Sequence, residues 1–119
     1  AALEKSKRLS GPEGIDAALA TQHLDALMAP TQGPAWPIDL VSGDREGPAA
    51  YSPAAVAGYP SITVPAGFVH DLPIGMLFFA GKWSEPTLIG IAYGFEQSSQ
   101  AWRAPQFIDS VGGKPAFTE

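Results

Sequence analysis

The run Ser61-Ile62-Thr63-Val64, held between Pro60 and Pro65, constrains the fold of this chain more than any other feature. Proline cannot donate to a β-ladder, and β-branched residues suit a pleated, half-buried surface, so the run reads as a strand with both ends defined. A second segment, Ile74-Gly75-Met76-Leu77-Phe78-Phe79-Ala80, is continuously apolar, the pattern of a strand buried on both faces. The connection between them carries His70 and Asp71 at its tip and predicts an antiparallel hairpin.

The remaining elements arrange themselves around that hairpin. Residues 1–8 are strong helix formers with no Met and no capping residue before them, which predicts a truncated helix over 1–9. Ser10-Gly11-Pro12-Glu13 reads as a turn, followed by a short helix with Ile15, Ala18, Leu19 and Gln22 in its stripe and His23 at its end. Ala26-Leu27-Met28-Ala29, stopped by Pro30, reads as a short buried strand. Residues 31–51 form a long loop rich in Pro and Gly. Ser52 and Pro53 predict a helix cap and first turn, and Gly58 the stop.

Ser84-Glu85-Pro86-Thr87 opens a last helix whose stripe is Leu88, Ile91, Ala92 and Phe95, widened by Ile89 and Tyr93. Gly90 and Gly94 flank that stripe and predict close packing on another backbone. Residues 108–119 read as a surface tail. The order predicts an α/β piece in which helices pack on a small mixed sheet.

Only 16% of the residues are charged, against about 25% in ordinary soluble domains. Such thin polar cover predicts a surface that is partly buried elsewhere. The net charge is −5, and four Lys and three Arg make no basic stripe, so nucleic acid and anionic membranes are not expected partners. No apolar run reaches the roughly 20 residues of a membrane span. The absence of Cys excludes disulfides and thiolate metal sites but leaves the compartment open; the cytoplasm is the expectation.

Catalytic constellations are missing. There is no G-x-S-x-G, and His70-Asp71 at a turn tip point outward rather than toward a nucleophile. His23 and His70 alone do not make a zinc site. Asp39, Asp44 and Glu46 do not have the spacing of a calcium loop and read as solvated acids. Gly112-Gly113-Lys114 lacks the first Gly and the Ser or Thr of a phosphate loop. No metal and no cofactor is expected.

An ordered series does carry information: Leu24-Asp25-Ala26-Leu27-Met28-Ala29-Pro30-Thr31, then Ala55-Val56-Ala57-Gly58-Tyr59-Pro60-Ser61-Ile62-Thr63-Val64-Pro65-Ala66-Gly67, then Leu72-Pro73-Ile74-Gly75-Met76, with Glu85 and Glu96 bracketing the last helix. In order and spacing it resembles the C-terminal part of the amidase signature family, over residues 14–107. The resemblance implies the C-terminal portion of a mixed-sheet α/β amidase fold. It also implies a parent that hydrolyses carboxylic amides without a cofactor, through a nucleophilic Ser, a second Ser on a cis peptide and a Lys base. In the family these residues lie upstream of this region. Here the one Ser-Ser pair, Ser98-Ser99, falls at a helix end, and Lys5, Lys7, Lys82 and Lys114 lack the apolar surroundings that depress a catalytic amine. No triad residue carries over, and the chain alone is expected to be inactive.

The expected partners are the remainder of the parent chain and, through it, a small amide substrate. Trp36, Asp39 and Tyr51 are the candidate substrate-binding residues: two aromatic surfaces with polar handles, and a carboxylate to orient a substrate nitrogen. Packing of Trp36 on an adjoining domain is the competing reading. A stand-alone, non-catalytic interaction module is the alternative for the whole chain, and self-association through exposed apolar surface fits either.

Overall fold

The computed structural model describes residues 1–44, 47 and 49–106. Three strands form one sheet: β1 (Leu27–Pro30), β2 (Ser61–Val69) and β3 (Leu72–Phe79), in the order β1-β3-β2. Both pairings are antiparallel, so the small mixed sheet expected from the sequence is antiparallel throughout these strands. The central place falls to β3, the continuously apolar segment. Leu77, Phe78, Phe79 and Ala80 are all buried.

The hairpin is longer and tighter than the sequence reading. His70 and Asp71 form its two-residue tip with φ of 50° and 63°. Two left-handed residues match the right-handed twist of the flanking strands, which lets pairing continue to Val69 and Leu72. Pro65 therefore lies inside β2, opposite Gly75, rather than bounding it. The ladder tolerates it because β2 is an edge strand here. Pro73 escapes the same conflict because β1 reaches only Met76 to Phe79 of the central strand. Gly67 sits at a bulge after Pro65 with φ 153°, a conformation open to glycine.

Cross-strand pairs sort the side chains into two faces. On one, Leu27, Leu77 and Phe79 pack with Ile15, Leu19, Ala54 and Tyr59. On the other, Ile62, Val64, Met76 and Phe78 pack with Leu88, Ala92 and Phe95. Phe78 and Phe95 meet edge to face at 5.5 Å. Burying Leu77 and Leu88 each contributes about 1.5–3 kcal/mol relative to exposure.

The helices on the first face begin with an unbroken helical run: α1 (Ala2–Ser10), a π-helical stretch (Gly11–Asp16) and α2 (Ala17–Gln22). The turn expected at Gly11-Pro12 is thus a widening of the helix. Pro12 donates no amide hydrogen and its ring crowds the carbonyl one turn back, which wider turns relieve. A Cβ on Gly14 would stand 2.6 Å from the Leu9 carbonyl oxygen, five residues earlier, so only glycine fits that widened turn. The π stretch also aims Asp16 inward, where its Oδ2 accepts a 2.6 Å hydrogen bond from the Tyr59 hydroxyl. His23 ends α2 in the left-handed conformation.

α3 (Ser52–Ala57) ends at Gly58, φ 72°, as expected. Its cap position is Tyr51 rather than Ser52, and neither side chain caps it. On the second face lies α4 (Glu85–Ser99). The Ser84 hydroxyl does not cap α4 but donates to the Gly81 carbonyl at 2.6 Å. Ile89 and Tyr93 do not widen the buried stripe; they stand exposed beside Gly90 and Gly94, where added Cβ atoms would meet nothing within 4 Å. β1 alternates half-buried and exposed residues instead of being buried.

The molecule is flat and extended, 58 × 39 × 19 Å, with a Cα radius of gyration of 17.7 Å. A compact chain of this length would have about 13–14 Å.

Candidate functional site

The loop of residues 31–51 grows from a fixed base. The Thr31 amide donates to the Gly75 carbonyl at 2.8 Å, extending the β1 ladder by one rung, and the Ala50 amide donates to the Thr31 carbonyl at 3.1 Å. Both ends of the loop are thereby held at the central strand. Beside this base the Thr31 and Thr63 hydroxyls meet at 3.2 Å across Gly75. A Cβ at Gly75 would lie 2.6 Å from the Thr63 methyl and 2.9 Å from the Thr31 hydroxyl, so glycine there makes the pairing possible.

Asp39 organises the outer part of the loop. Its Oδ1 accepts from the amides of Val41 and Ser42, each at 2.9 Å, and its carbonyl accepts from the Gly43 amide at 3.1 Å. The Ser42 amide first, then that of Val41, holds the Asp39 carboxyl below its ordinary value. The turn so built projects Leu40 and Val41 into solvent at 93% and 96% exposure, with Ile38 beside them. Trp36, in the coil before this turn, is 36% exposed, and Tyr51, at the start of α3, is 38% exposed.

Two hollows flank the hairpin. One, of about 510 Å³, lies under the loop base between Pro30, Pro34, Ala50, Val69 and Ile74. The other, about 700 Å³, lies between the hairpin and the chain that follows α4. Trp36, Asp39 and Tyr51 line neither, and no hydrogen bond among the described residues joins any two of them. Asp44 is described; Glu46, the third member of that acidic group, lies outside the described residues. So do Lys114, its Gly-Gly pair and the tail 108–119. Among the described residues no three His, Asp or Glu converge as metal ligands.

The sequence reading missed Arg103. Its guanidinium lies 3.6 Å over the Phe68 ring and donates to Asp71 at 2.9 Å. Nothing in the local sequence Trp102-Arg103-Ala104-Pro105 signals a contact with a hairpin tip 32 residues earlier.

A peptide amidase from Stenotrophomonas maltophilia superposes on the chain with a TM-score of 0.79 and 55% identity, over 92% of this chain and 21% of that one. A peptide amidase solved with the competitive inhibitor chymostatin gives a TM-score of 0.84 and 57% identity over 89% of this chain and 22% of that one. A probable amidase of Arabidopsis thaliana is 35% identical over 108 residues, covering 90% of this chain and 18% of its own length. Its homologues are enzymes of the amidase signature family.

No family model matches the chain. It spans about a fifth of the length of these amidases and corresponds to their C-terminal segments. Helices on a small sheet are thus the fold of an amidase segment, and of the Gly and Pro positions that carried the resemblance Gly58 is a helix cap, Pro65 lies on an edge strand and Gly67 makes a bulge. No helix among the described residues is long and apolar enough to cross a membrane.

Proposed function

We propose that this chain is the scaffold end of a peptide amidase, an enzyme whose intact form hydrolyses carboxylic amide C–N bonds through a Ser–Ser–Lys triad outside these residues. The observation that carries this reading is the 55–57% identity, with TM-scores of 0.79 to 0.84, to peptide amidases across nine-tenths of the chain. Identity at that level exceeds what a shared fold alone requires. The chain alone is inactive in this account, and its partners are the remainder of the amidase polypeptide in the cytoplasm and an amide substrate.

The thin polar cover and the flat shape support incompleteness. Fifteen large apolar residues stand exposed among the described residues, against ten apolar residues buried. Such a surface associates with itself when its cover is missing.

Within the intact enzyme, the loop of residues 31–51 forms part of the wall of the substrate pocket, with Trp36 and Tyr51 as apolar surfaces and Asp39 near a substrate nitrogen. Asp39 Oδ1 already serves two amides, so orientation of substrate falls to Oδ2. Trp36→Ala in the intact enzyme is expected to change KM or substrate preference for peptide amides. Loss of stability with unchanged kinetics would assign Trp36 to packing instead.

A further inference from the structure

We propose that residues 101–106 are a hinged strap over the larger hollow, latched to the hairpin tip by Arg103. The strap leaves α4 at Gln100, whose left-handed backbone, φ 47°, turns the chain out of the helix. It then runs along the hairpin and walls a hollow of about 700 Å³ whose other side includes Pro65, Phe68, Leu72 and Pro73. That volume lies in the range of small-molecule sites, roughly 300–1,000 Å³.

A segment packed down over such a hollow would bury its own apolar groups. This one does not: residues 102–106 are all exposed, Trp102 among them. Among the described residues no backbone hydrogen bond joins the strap to the sheet. Among the described residues, its side-chain bonds to the hairpin come from Arg103. Arg103 stacks on Phe68 and pairs with Asp71, at the end of the hairpin farthest from the helices' cores. Exposed ion pairs and exposed cation–π contacts are weak, and segments with few buried contacts open at little cost. In this chain, apart from the rest of the enzyme, the strap therefore opens and closes while the sheet stays folded, and access to the hollow follows the latch.

Chymotryptic cleavage after Trp102, followed by mass spectrometry on the 119-residue chain, reads the open fraction when opening is fast relative to cleavage. Asp71→Asn removes the ion pair, keeps a residue that tolerates the left-handed turn, and leaves the cleavage site intact. It is expected to raise the rate about two- to five-fold. Phe68→Leu removes the stack and is expected to raise the rate about two- to five-fold. Molar salt should reproduce the first effect and not the second. Unchanged cleavage in Asp71→Asn with an unchanged far-ultraviolet circular dichroism spectrum would overturn the latch, whatever Phe68→Leu does to folding. Cleavage of the unaltered chain as fast as a free peptide of the same sequence would overturn it as well.

Discussion

Two stretches of this chain each carry seven Gly and Pro residues and use them in opposite ways. From Tyr51 to Ala80, Pro53 opens a helix, Gly58 closes it, Pro65 sits on a sheet edge, Gly67 makes a bulge and Gly75 admits two threonines. From Pro30 to Ala50, Gly33, Gly43 and Gly47 face open space, and the large apolar residues between them lie in solvent. The same residue types punctuate structure where they interrupt apolar, β-branched runs. Elsewhere they leave a loop whose order rests on Asp39 and on two backbone bonds at its base.

The largest effect expected from this contrast comes from leucines. Leu77, 2% exposed in the central strand, should cost about 2–5 kcal/mol as Leu77→Ala in denaturant unfolding. Leu40→Ala at the loop tip should stay within about 0.5 kcal/mol. Equal losses would mean that the loop is packed in solution.

Glycines give the next test. Gly14→Ala forces a methyl against the Leu9 carbonyl and should destabilise by about 1–3 kcal/mol. Gly33→Ala has open space and should be neutral or stabilising, by up to about 1 kcal/mol. Reversal of that order would place the strain in the loop instead of the π-helical stretch.

Tyr59→Phe leaves the Asp16 carboxylate without its hydroxyl partner and should cost about 1–2 kcal/mol. The Asp16 hydrogen bond holds the Tyr59 pKa above its ordinary value. The folded state therefore keeps the phenol proton longer than the unfolded chain. The contribution is full below about pH 10 and fades as pH rises through the folded value. The unaltered protein should lose stability above about pH 10 more steeply than the Phe variant; parallel curves would remove the bond from the account.

Asp39 should give the smallest effect. Its folded pKa is depressed, so the turn's stabilisation is present above the ordinary aspartate value, about 3.9, and is lost as pH falls through the folded one. The amide resonances of Val41 and Ser42 should report a midpoint below that ordinary value with little change in global stability. A midpoint at or above it would dissolve the turn.

The hairpin and a strand buried on both faces were legible because a β-branched run after Pro60 and an uninterrupted apolar run leave few alternatives. The π-helical stretch was not legible: Gly-Pro signals a turn unless something distant rewards continuation, and here Tyr59 reaches Asp16 from 43 residues away. The outer face of α4 misled for a related reason, since Ile89 and Tyr93 predict cover that these residues do not supply. Around the candidate site the irregular course of the loop was readable, while the self-bonded state of Asp39 and the contacts of Arg103 depend on geometry that no local pattern encodes.

The central claim is that these residues scaffold an amidase whose chemistry lies elsewhere in the polypeptide. Hydrolysis of a peptide C-terminal amide, followed by ammonia release, should be measured for this chain alone, for a peptide amidase lacking the matching segment, and for the two combined. Ammonia release only in the mixture is the result predicted. Turnover by the 119 residues alone would contradict it.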